Sequence, residues 1–591
     1  MNPGPVSSHS FHIPVMGIGF TIDTPIKVAH LGINAVIFIS DDGLLERTRK
    51  FYCEQYNIPF DPIPKSVTDS RAKRITSYLN LVNEITCQKV NSIRKITDEN
   101  EPEVIHYFQL LPENHPKKIT FFQMLEDGLS HHQISDWLST NVVAGSIDVN
   151  IMTKLDRENY KQNVKLAAEY NDAHAALRGF ANSNLSSSVV FSAGMNPRLY
   201  SYAEQFDDFY PNEDGNITKR IILKVSDYRS AMIQGKFLAK KGLWVSEYRI
   251  ESGLNCGGHA FATDGYLMGP ILEEFKQKRE ELRNSVFDVL AHALEEKNRS
   301  VPKQVSLKLT AQGGVGNQAE HEFLINQYGV DSVGWGSPFL LVPEATSVDA
   351  QTMQKLAVAK EEDLYLSNVS PLGVPFNNLK GNTNEKEQMQ RVLDNIPGSA
   401  CPKKFLALTP QPDTASVCTA STKYQKEKIS ELKELDISID EYQKRFDEII
   451  EPACLCVGLG NSLLISHNIN LKNEKSVLIC PGPNMAYFNK VVSLKEMVGH
   501  IYGRNDVSGH HNRPHMFIKE LGLYVDHLLK KYENTDLSHP RNLKKLDSFA
   551  ANLRDGIAYY RSIFTDDLGI LEGLNQFDLV LDHFQNDLKT V

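Results

Sequence analysis

Short runs of β-branched and aromatic residues alternate with stretches of helical periodicity along the first two thirds of the chain. Because parallel strands need long crossover connections, this alternation predicts a parallel sheet. Eight such βα units favour a closed (β/α)8 barrel, or TIM barrel, over an open sheet. The predicted strands are "IPVMGIGF" (13–20), "NAVIFIS" (34–40), "SIDVNIMT" (146–153), "SSVVFSAG" (187–194), "KRIILKVS" (219–226), "LWVSEYRIESG" (243–253), "VSLKLTAQGG" (305–314) and "DSVGWGS" (331–337).

Two long segments fall outside this repeat. Residues 41–141 separate the second strand from the third, which is far too long for a βα loop, so they must carry structure of their own. Within them the pattern predicts a helix over 70–95 and leaves the apolar runs "EVIHYFQLL" and "KITFFQML" unassigned. The pattern also predicts a long helix over 161–180 and mostly helices after residue 385, for example over 422–450 and 542–564.

The predicted organisation therefore has three parts. Residues 1–40 and 142–385 form the TIM barrel, residues 41–141 form a partly helical insertion after strand two, and residues 386–591 form a mostly helical C-terminal region. The stretch "CPGPNMAYF" in the last region places a glycine between two prolines and predicts a rigid turn. The helices of this region pack most simply on the barrel, and a lid or a homo-oligomer interface stays open as an alternative.

A barrel places its chemistry at the carboxyl ends of its strands. Glycines and small polar residues recur at those predicted ends. One glycine at a strand end is ordinary turn chemistry, but several on one face of a barrel indicate a ligand site. The residues concerned are Gly17, Gly19, Asn150, Gly194, Gly257, Gly258, Gly313, Gly314, Gly336 and Ser337.

The ends of strands seven and eight predict a phosphate site. In "AQGGVGNQAEHEFL", Gly313 and Gly314 let the backbone approach a ligand just before a helix starts, and the free N–H groups of a helix start bind anions. In "GWGSPFLLVPEA", Gly336 and the hydroxyl of Ser337 offer further donors. Either loop alone is equally well an ordinary tight turn, but these two loops are the usual phosphate site of such barrels.

The end of strand six, "NCGGHAF" (255–261), predicts an acid–base group. Gly257 and Gly258 carry no side chains that would block a flat cofactor or substrate, and His259 follows them directly. An imidazole titrates near neutral pH and exchanges protons at working pH. A structural histidine is the alternative, but its place at the top of a barrel strand favours a catalytic role.

These motifs together resemble the nitronate monooxygenase (2-nitropropane dioxygenase-like) family of FMN enzymes, which includes FMN-dependent enoyl reductases. "PVMGIGFTIDTPIKVAHLGI" is similar to the opening strand of the family, and "IDVNIMT" to its "GVNL" strand. "GLNCGGH" is similar to "EAGGH", and "AQGGVG…YGVDSVGWGSPFLLVPEA" to the two loops that hold the FMN phosphate. "LSNVSPLGVPFNNLKGN" is similar to the segment after the barrel. The resemblance covers about residues 10–40 and 142–385.

The resemblance implies an FMN-dependent oxidoreductase. It implies that Met16 and Gly17 lie under the flavin, that Asn150 contacts the flavin, and that His259 is catalytic. It also implies that Gly313, Gly314, Gly336 and Ser337 hold the phosphate. Cys256, where the family has a small residue, and Pro338, where it has arginine, depart from the pattern.

Three functions stay open. The first is a nitronate monooxygenase, whose reduced flavin is reoxidised by oxygen. The second is a reductase of conjugated acyl thioesters that takes electrons from NAD(P)H, like the enoyl reductases of polyunsaturated fatty acid synthases. The third is a barrel that binds FMN or another phosphate ligand as a complex subunit. The substrate is in each enzymatic case a small molecule.

Composition excludes several other classes. With 41% hydrophobic and 23% charged residues the chain is globular, and its net charge of −10 argues against binding nucleic acid or anionic membranes. No secretory signal and no apolar stretch of about 18 residues is visible, so we expect a cytoplasmic protein. Eight cysteines in 591 residues are too sparse for a disulfide scaffold and predict reduced thiols.

Two groups of residues raise the question of a metal site. Cys454 and Cys456 form a C-x-C pair without the C-x₂-C partners that strong metal sites show. The histidine groups lack a carboxylate or cysteine at convincing spacing, so solvated loops explain them better. We therefore predict no metal. The further residues weighed were Cys401, Cys418, Cys480, His131, His132, His510, His511 and His515.

Overall fold

The computed structural model describes residues 8–162, 164–192, 194–411, 414–469, 476–509 and 512–590, so His510 and His511 lie outside the described residues. Its centre is the predicted closed barrel of eight parallel strands, each paired with its neighbours in the chain and the last with the first. The strands are β1 (Phe11–Ile13), β2 (Asn34–Phe38), β3 (Ile147–Met152), β4 (Ser187–Ser192), β5 (Lys219–Val225), β6 (Val245–Glu251), β7 (Lys308–Gln312) and β8 (Ser332–Gly334).

The first strand differs from its prediction. It ends at Ile13, because Pro14 has no N–H to donate to a ladder and Gly17 turns the chain with a φ of 54°. Residues 14–20 are therefore a loop over the mouth of the barrel rather than a strand. The other seven strands lie inside their predicted windows and lose only terminal residues.

Helices surround the barrel. In and around its eight βα units they are α1 (Thr24–Val28), α2 (Asp42–Gln55), α3 (Ser70–Ile93), α4 (Glu101–Leu110), α5 (Pro116–Glu126), α6 (His131–Asn141), α7 (Asp172–Ala181), α8 (Pro197–Ala203), α9 (Tyr228–Ala239), α10 (Met268–Gln277), α11 (Arg279–Glu296), α12 (Gln318–Tyr328) and α13 (Ala350–Val358). Five of these, α2 to α6, occupy the long segment between β2 and β3.

That segment is more helical than its pattern suggests. The runs "EVIHYFQLL" and "KITFFQML" belong to α4 and α5, and their apolar residues are buried, among them Tyr107, Phe108 and Phe121. α3 packs against α2 and α7 and so joins the helical layer of the barrel. The predicted helix over 161–180 is wrong in its first half, because Gln162 adopts a φ of 50° and residues 160–161 pair with residues 164–165 as antiparallel strands.

The residues after the barrel form a hairpin and a set of helices. The hairpin strands are β9 (Leu364–Ser367) and β10 (Phe376–Leu379), and a second small hairpin pairs β11 (Thr409–Gln411) with β12 (Thr414–Val417). The helices are α14 (Thr383–Leu393), α15 (Thr422–Lys433), α16 (Ile439–Ile450), α17 (Leu455–Ser466), α18 (Leu494–Ile501), α19 (Met516–Glu533), α20 (Pro540–Ile563) and α21 (Leu568–Thr590).

Part of this region returns to the barrel mouth. α17 is buried along nearly its whole length, and residues 476–488 cross the loops that follow the barrel strands. Among the described helices none by itself is long and apolar enough to cross a membrane. One bent pair, α16 with α17, has the length and composition of a membrane span, but only those two properties support it.

Candidate active site at the mouth of the barrel

A cavity of about 210 Å³ opens at the carboxyl ends of the barrel strands. The strands run parallel, so their carboxyl ends and following loops meet at one face. The tertiary structure thereby brings ten of the predicted site residues together around this cavity, whereas Gly19 and Gly194 do not line it. The ten are Met16, Gly17, Asn150, Gly257, Gly258, His259, Gly313, Gly314, Gly336 and Ser337.

His259 is held by the hairpin that follows the barrel. Its Nε2 lies 2.6 Å from the hydroxyl of Ser370, and its ring packs edge-on against Phe376 at 4.8 Å. The Ser370 oxygen already accepts the amide of Leu372, so its proton is available for Nε2. With Ser370 as the donor, the neutral imidazole carries its proton on Nδ1.

The environment keeps this imidazole neutral. Burial, together with the smaller effect of the Lys154 ammonium group, lowers the pKa of His259 from 6.5 to about 4. At neutral pH the ring is therefore a hydrogen-bond donor through Nδ1 and not a reservoir of positive charge. This group suits the stabilisation of a developing negative charge on a substrate better than the delivery of a proton from an imidazolium.

The loops after β7 and β8 offer a set of backbone donors. The amides of Gly314, Gly336 and Ser337 have no hydrogen-bond acceptor among the residues that the structure describes. Gly314 has a φ of 82°, and an added Cβ would lie 2.0 Å from the Asn255 amide, so only glycine fits there. The Ser337 oxygen accepts the Gly482 amide at 2.8 Å, which leaves its proton to be donated.

The start of α12 satisfies part of its own N–H groups. Asn317 caps the helix by accepting the Glu320 amide at 2.9 Å. The carboxylate of Glu320 in turn accepts the amide of Gly316 at 2.9 Å. Side chains of the protein itself therefore use these two N–H groups, whereas Gly314, Gly336 and Ser337 lie in the loops after β7 and β8.

Asn150 contributes an unused acceptor. The side chain is 3% exposed, and its Oδ1 has no hydrogen-bond partner within the described part of the chain. A buried amide oxygen without a donor costs free energy unless a ligand supplies one. Asn150 lines the same cavity as the free amides, so a ligand with an N–H group satisfies this oxygen.

The floor of the cavity holds charged residues that the sequence analysis missed. Lys224, at the end of β5, pairs with Glu251, at the end of β6, at 2.7 Å. Glu251 also accepts the Gln312 side-chain amide at 2.6 Å. Cys256 lies beside this group with its thiol pKa raised by burial and by Glu251. Their place at the ends of apolar strands is the sequence signal by which these charged residues could have been found.

The roof of the cavity comes from the C-terminal region. The amide of Gly258 donates to the Cys480 carbonyl at 3.1 Å, and the amide of Gly19 to the Leu459 carbonyl at 3.0 Å. A Cβ on Gly257 would lie 2.6 Å from the Cys480 oxygen, so the absence of a side chain at Gly257 makes room for the backbone of residues 480–482. At Gly258 no atom would lie within 4 Å of an added Cβ.

A buried ion pair fastens the roof to the barrel. The guanidinium group of Arg513 contacts the Glu320 carboxylate at 2.7 Å, donates to Asn484 at 2.8 Å, and donates to the Gly314 carbonyl. The side chains of Arg513 and Glu320 are 8% and 2% exposed. Arg513 therefore positions the β7 loop and the roof.

A second buried carboxyl group anchors the strand-six loop. Glu520 on α19 accepts the Ser252 hydroxyl at 2.5 Å and the Met268 amide at 2.9 Å. Ser252 is the first residue after β6 and also accepts the Asn255 amide at 3.2 Å. Burial raises the pKa of Glu520 from 4.5 to about 7, so the carboxyl group is largely protonated below neutral pH.

Glu520→Gln should make the protein more stable at alkaline pH. Because the pKa of Glu520 is higher in the folded than in the unfolded chain, wild-type stability falls as pH rises from about 4.5 to 7, by up to about 3 kcal/mol. Glutamine never ionises; its oxygen keeps the bond from the Met268 amide, and its NH₂ group can donate to the Ser252 hydroxyl oxygen. Urea unfolding at pH 5 and pH 8.5 measures the difference, and an unchanged pH slope in the variant would contradict the role of Glu520.

Comparisons with known proteins add a distant likeness. No family model matches the chain, and no curated protein matches its sequence. FabK from Thermotoga maritima is 12% identical over 84% of this chain and 94% of that chain, with a TM-score of 0.37. The enoyl reductase domain of MlnA from Bacillus amyloliquefaciens is 12% identical over 76% of this chain and 89% of its own, with a TM-score of 0.32. Likeness at this level carries no functional inference, which must come from the site itself.

Proposed function

We propose that this chain is an FMN-dependent oxidoreductase whose cofactor binds at the mouth of the barrel. One observation carries the proposal: the free amides of Gly314, Gly336 and Ser337 and the unpartnered oxygen of Asn150 open on the same cavity as His259. These groups fit the two polar ends of FMN, an anionic phosphate and a ring edge with an N–H group. When bound, FMN supplies the exchange of electron pairs with the substrate.

The residues of the chain then have distinct roles. The three amides and the Ser337 hydroxyl would hold the phosphate, and Asn150 would accept from the ring. His259 would hold its proton at Nδ1 and donate a hydrogen bond to a substrate oxygen that gains negative charge. The rings of Phe261, Phe376 and Phe405 line the cavity and exclude water from it.

Two substrate classes follow from the sequence resemblance. The first is a nitronate, oxidised with oxygen as the final acceptor. The second is a conjugated acyl thioester, reduced with electrons from NAD(P)H. The apolar side chains around His259 and in the roof favour the second class, because they suit an acyl chain better than a small polar anion.

Anaerobic reduction of the FMN-loaded protein tests both classes. Fast bleaching of the flavin absorbance by NADH or NADPH supports the reductase, and bleaching only by a nitronate supports the monooxygenase. Protein that remains colourless after incubation with FMN would overturn the proposal for both.

Asn150→Ala should weaken FMN binding by about 2- to 10-fold, corresponding to the about 0.5–1.5 kcal/mol of one hydrogen bond. Since the Asn150 Oδ1 has no partner among the described residues, the substitution should leave the melting temperature of the FMN-free protein nearly unchanged. Quenching of flavin fluorescence measures the affinity. Equal affinities of wild-type and variant would remove Asn150 from the binding site.

A further inference from the structure

The roof of the cavity has two parts that are fastened to the barrel in different ways. Residues 476–488 are bonded through the backbone, for example where the Gly258 amide donates to the Cys480 carbonyl at 3.1 Å. The second part is residues 402–408, which we call the strap. In the part of the chain that the structure describes, no backbone-to-backbone hydrogen bond joins the strap to another segment.

Two cationic side chains tie the strap to the barrel instead. The ammonium group of Lys403 forms an ion pair with the Asp41 carboxylate and donates to the Cys456 carbonyl at 2.9 Å. Asp41 is 1% exposed and comes shortly after β2. The guanidinium group of Arg157, in the loop after β3, donates to the Lys404 carbonyl at 3.2 Å. The strap therefore lies at the loops after β2 and β3.

The strap also supplies part of the apolar wall of the cavity. Phe405 and Leu406 line the cavity, as do Met152 and Leu155 at the end of β3. Leu406 is 5% exposed, and the ring of Phe405 carries the Arg71 guanidinium group at 5.3 Å from its centroid. Displacement of the strap would therefore open the cavity along an apolar side.

The backbone at the strap is strained at two positions that are not glycine. Cys401, just before the strap, has a φ of 50°, and Lys404, within it, has a φ of 59°. The left-handed region is unfavourable for residues with a Cβ, and such residues concentrate at ligand clamps and switch regions. A segment with this backbone and few bonds to its surroundings belongs to the low-stability part of a fold.

We propose that the strap is a movable gate that closes the cavity over the acyl chain of a conjugated thioester, with the Lys403–Asp41 pair as its latch. When the strap is displaced, the chain enters past the loops after β2 and β3. When the strap returns, Phe405 and Leu406 pack on the chain and exclude water. The identity of the chain rests on the proposed function, whereas the opening of the strap does not.

Limited digestion of the FMN-free protein with trypsin tests the latch. Cleavage after Lys404 needs the strap to leave the roof, because its carbonyl is held by Arg157 and the next residue lines the cavity. We expect cleavage there to be about ten-fold faster in Asp41→Asn and in Lys403→Met than in wild-type. Asparagine still caps α2 by accepting the Leu44 amide, so this variant loses only the charge.

The matched control is Lys428→Met, which removes an exposed ion pair with Glu431 on α15. This variant should be cleaved after Lys404 at the wild-type rate. Equal rates in all four proteins would overturn the gate. Faster cleavage at every site of Asp41→Asn and Lys403→Met would overturn it as well, because the ion pair would then support the whole fold rather than the strap.

A second digestion, of the FMN-loaded protein, tests the ligand with two probes that need no turnover. Dodecanoyl coenzyme A should slow cleavage after Lys404 at least about five-fold, whereas acetyl coenzyme A, which has the same head group, should not. In Phe405→Ala the half-protecting concentration of dodecanoyl coenzyme A should rise by about 5- to 20-fold, because the chain loses an apolar contact.

Equal protection by the two coenzyme A esters, or protection by neither, would overturn the acyl-chain subsite. An unchanged half-protecting concentration in Phe405→Ala would do the same. Protein that binds no FMN would refute the proposed function, and the digestion without FMN would still decide whether the strap opens.

Discussion

Replacing His259 with alanine should lower kcat by about 10²- to 10⁴-fold while FMN remains bound. We expect the loss because the proposed role of His259 is to stabilise charge on the substrate, whereas the proposed phosphate donors lie in the loops after β7 and β8. Steady-state kinetics with the substrate found by anaerobic reduction measures kcat. His292→Ala, at an exposed site on α11, is the matched control.

The pH profile gives this role a second readout. Because the pKa of His259 is lowered to about 4, the neutral imidazole persists at all pH values well above 4. Activity that needs the neutral ring should therefore be flat above about pH 5 and fall as pH drops through 4. An inflection near pH 6.5 in wild-type, or normal kcat in the alanine variant, would contradict the assigned role.

Replacing Arg513 with methionine should lower the free energy of unfolding by about 3–5 kcal/mol. The substitution leaves the Glu320 carboxylate buried without its cation and removes the bonds from Arg513 to Asn484 and the Gly314 carbonyl. The roof should loosen first, because these contacts fasten it to the β7 loop. Urea unfolding measures stability, and amide hydrogen exchange of residues 476–488 reports on the roof.

The double variant Arg513→Met with Glu320→Gln separates charge from packing. It has no buried unpaired charge, so it should regain part of the lost stability. Arg541→Met, at an exposed position on α20, controls for the loss of a surface arginine. Equal unfolding midpoints of wild-type and Arg513→Met would show that the roof does not depend on this pair.

Much of the barrel was predictable because its signals are local. Strand runs with helical gaps encode a parallel barrel, and glycines at strand ends mark the face where loops meet. Asn150 and Gly314 therefore appeared in the cavity from sequence position alone. Lys224 and Glu251 were missed although their strand-end positions carried the same signal, since charged residues were not weighed there.

The roof was beyond the sequence. The segment of Cys480 and Gly482 has no periodicity that points to Gly258 or Ser337, and its closeness to them depends on long-range packing.

The sequence by itself determined the closed barrel and the positions of the residues that line its mouth. Repeated local patterns carry that information, because each βα unit must bury its own apolar face. The tertiary structure alone decided that His259 is neutral and that a C-terminal roof closes the cavity. Burial and contacts between residues far apart in sequence set these properties, and no local pattern records them.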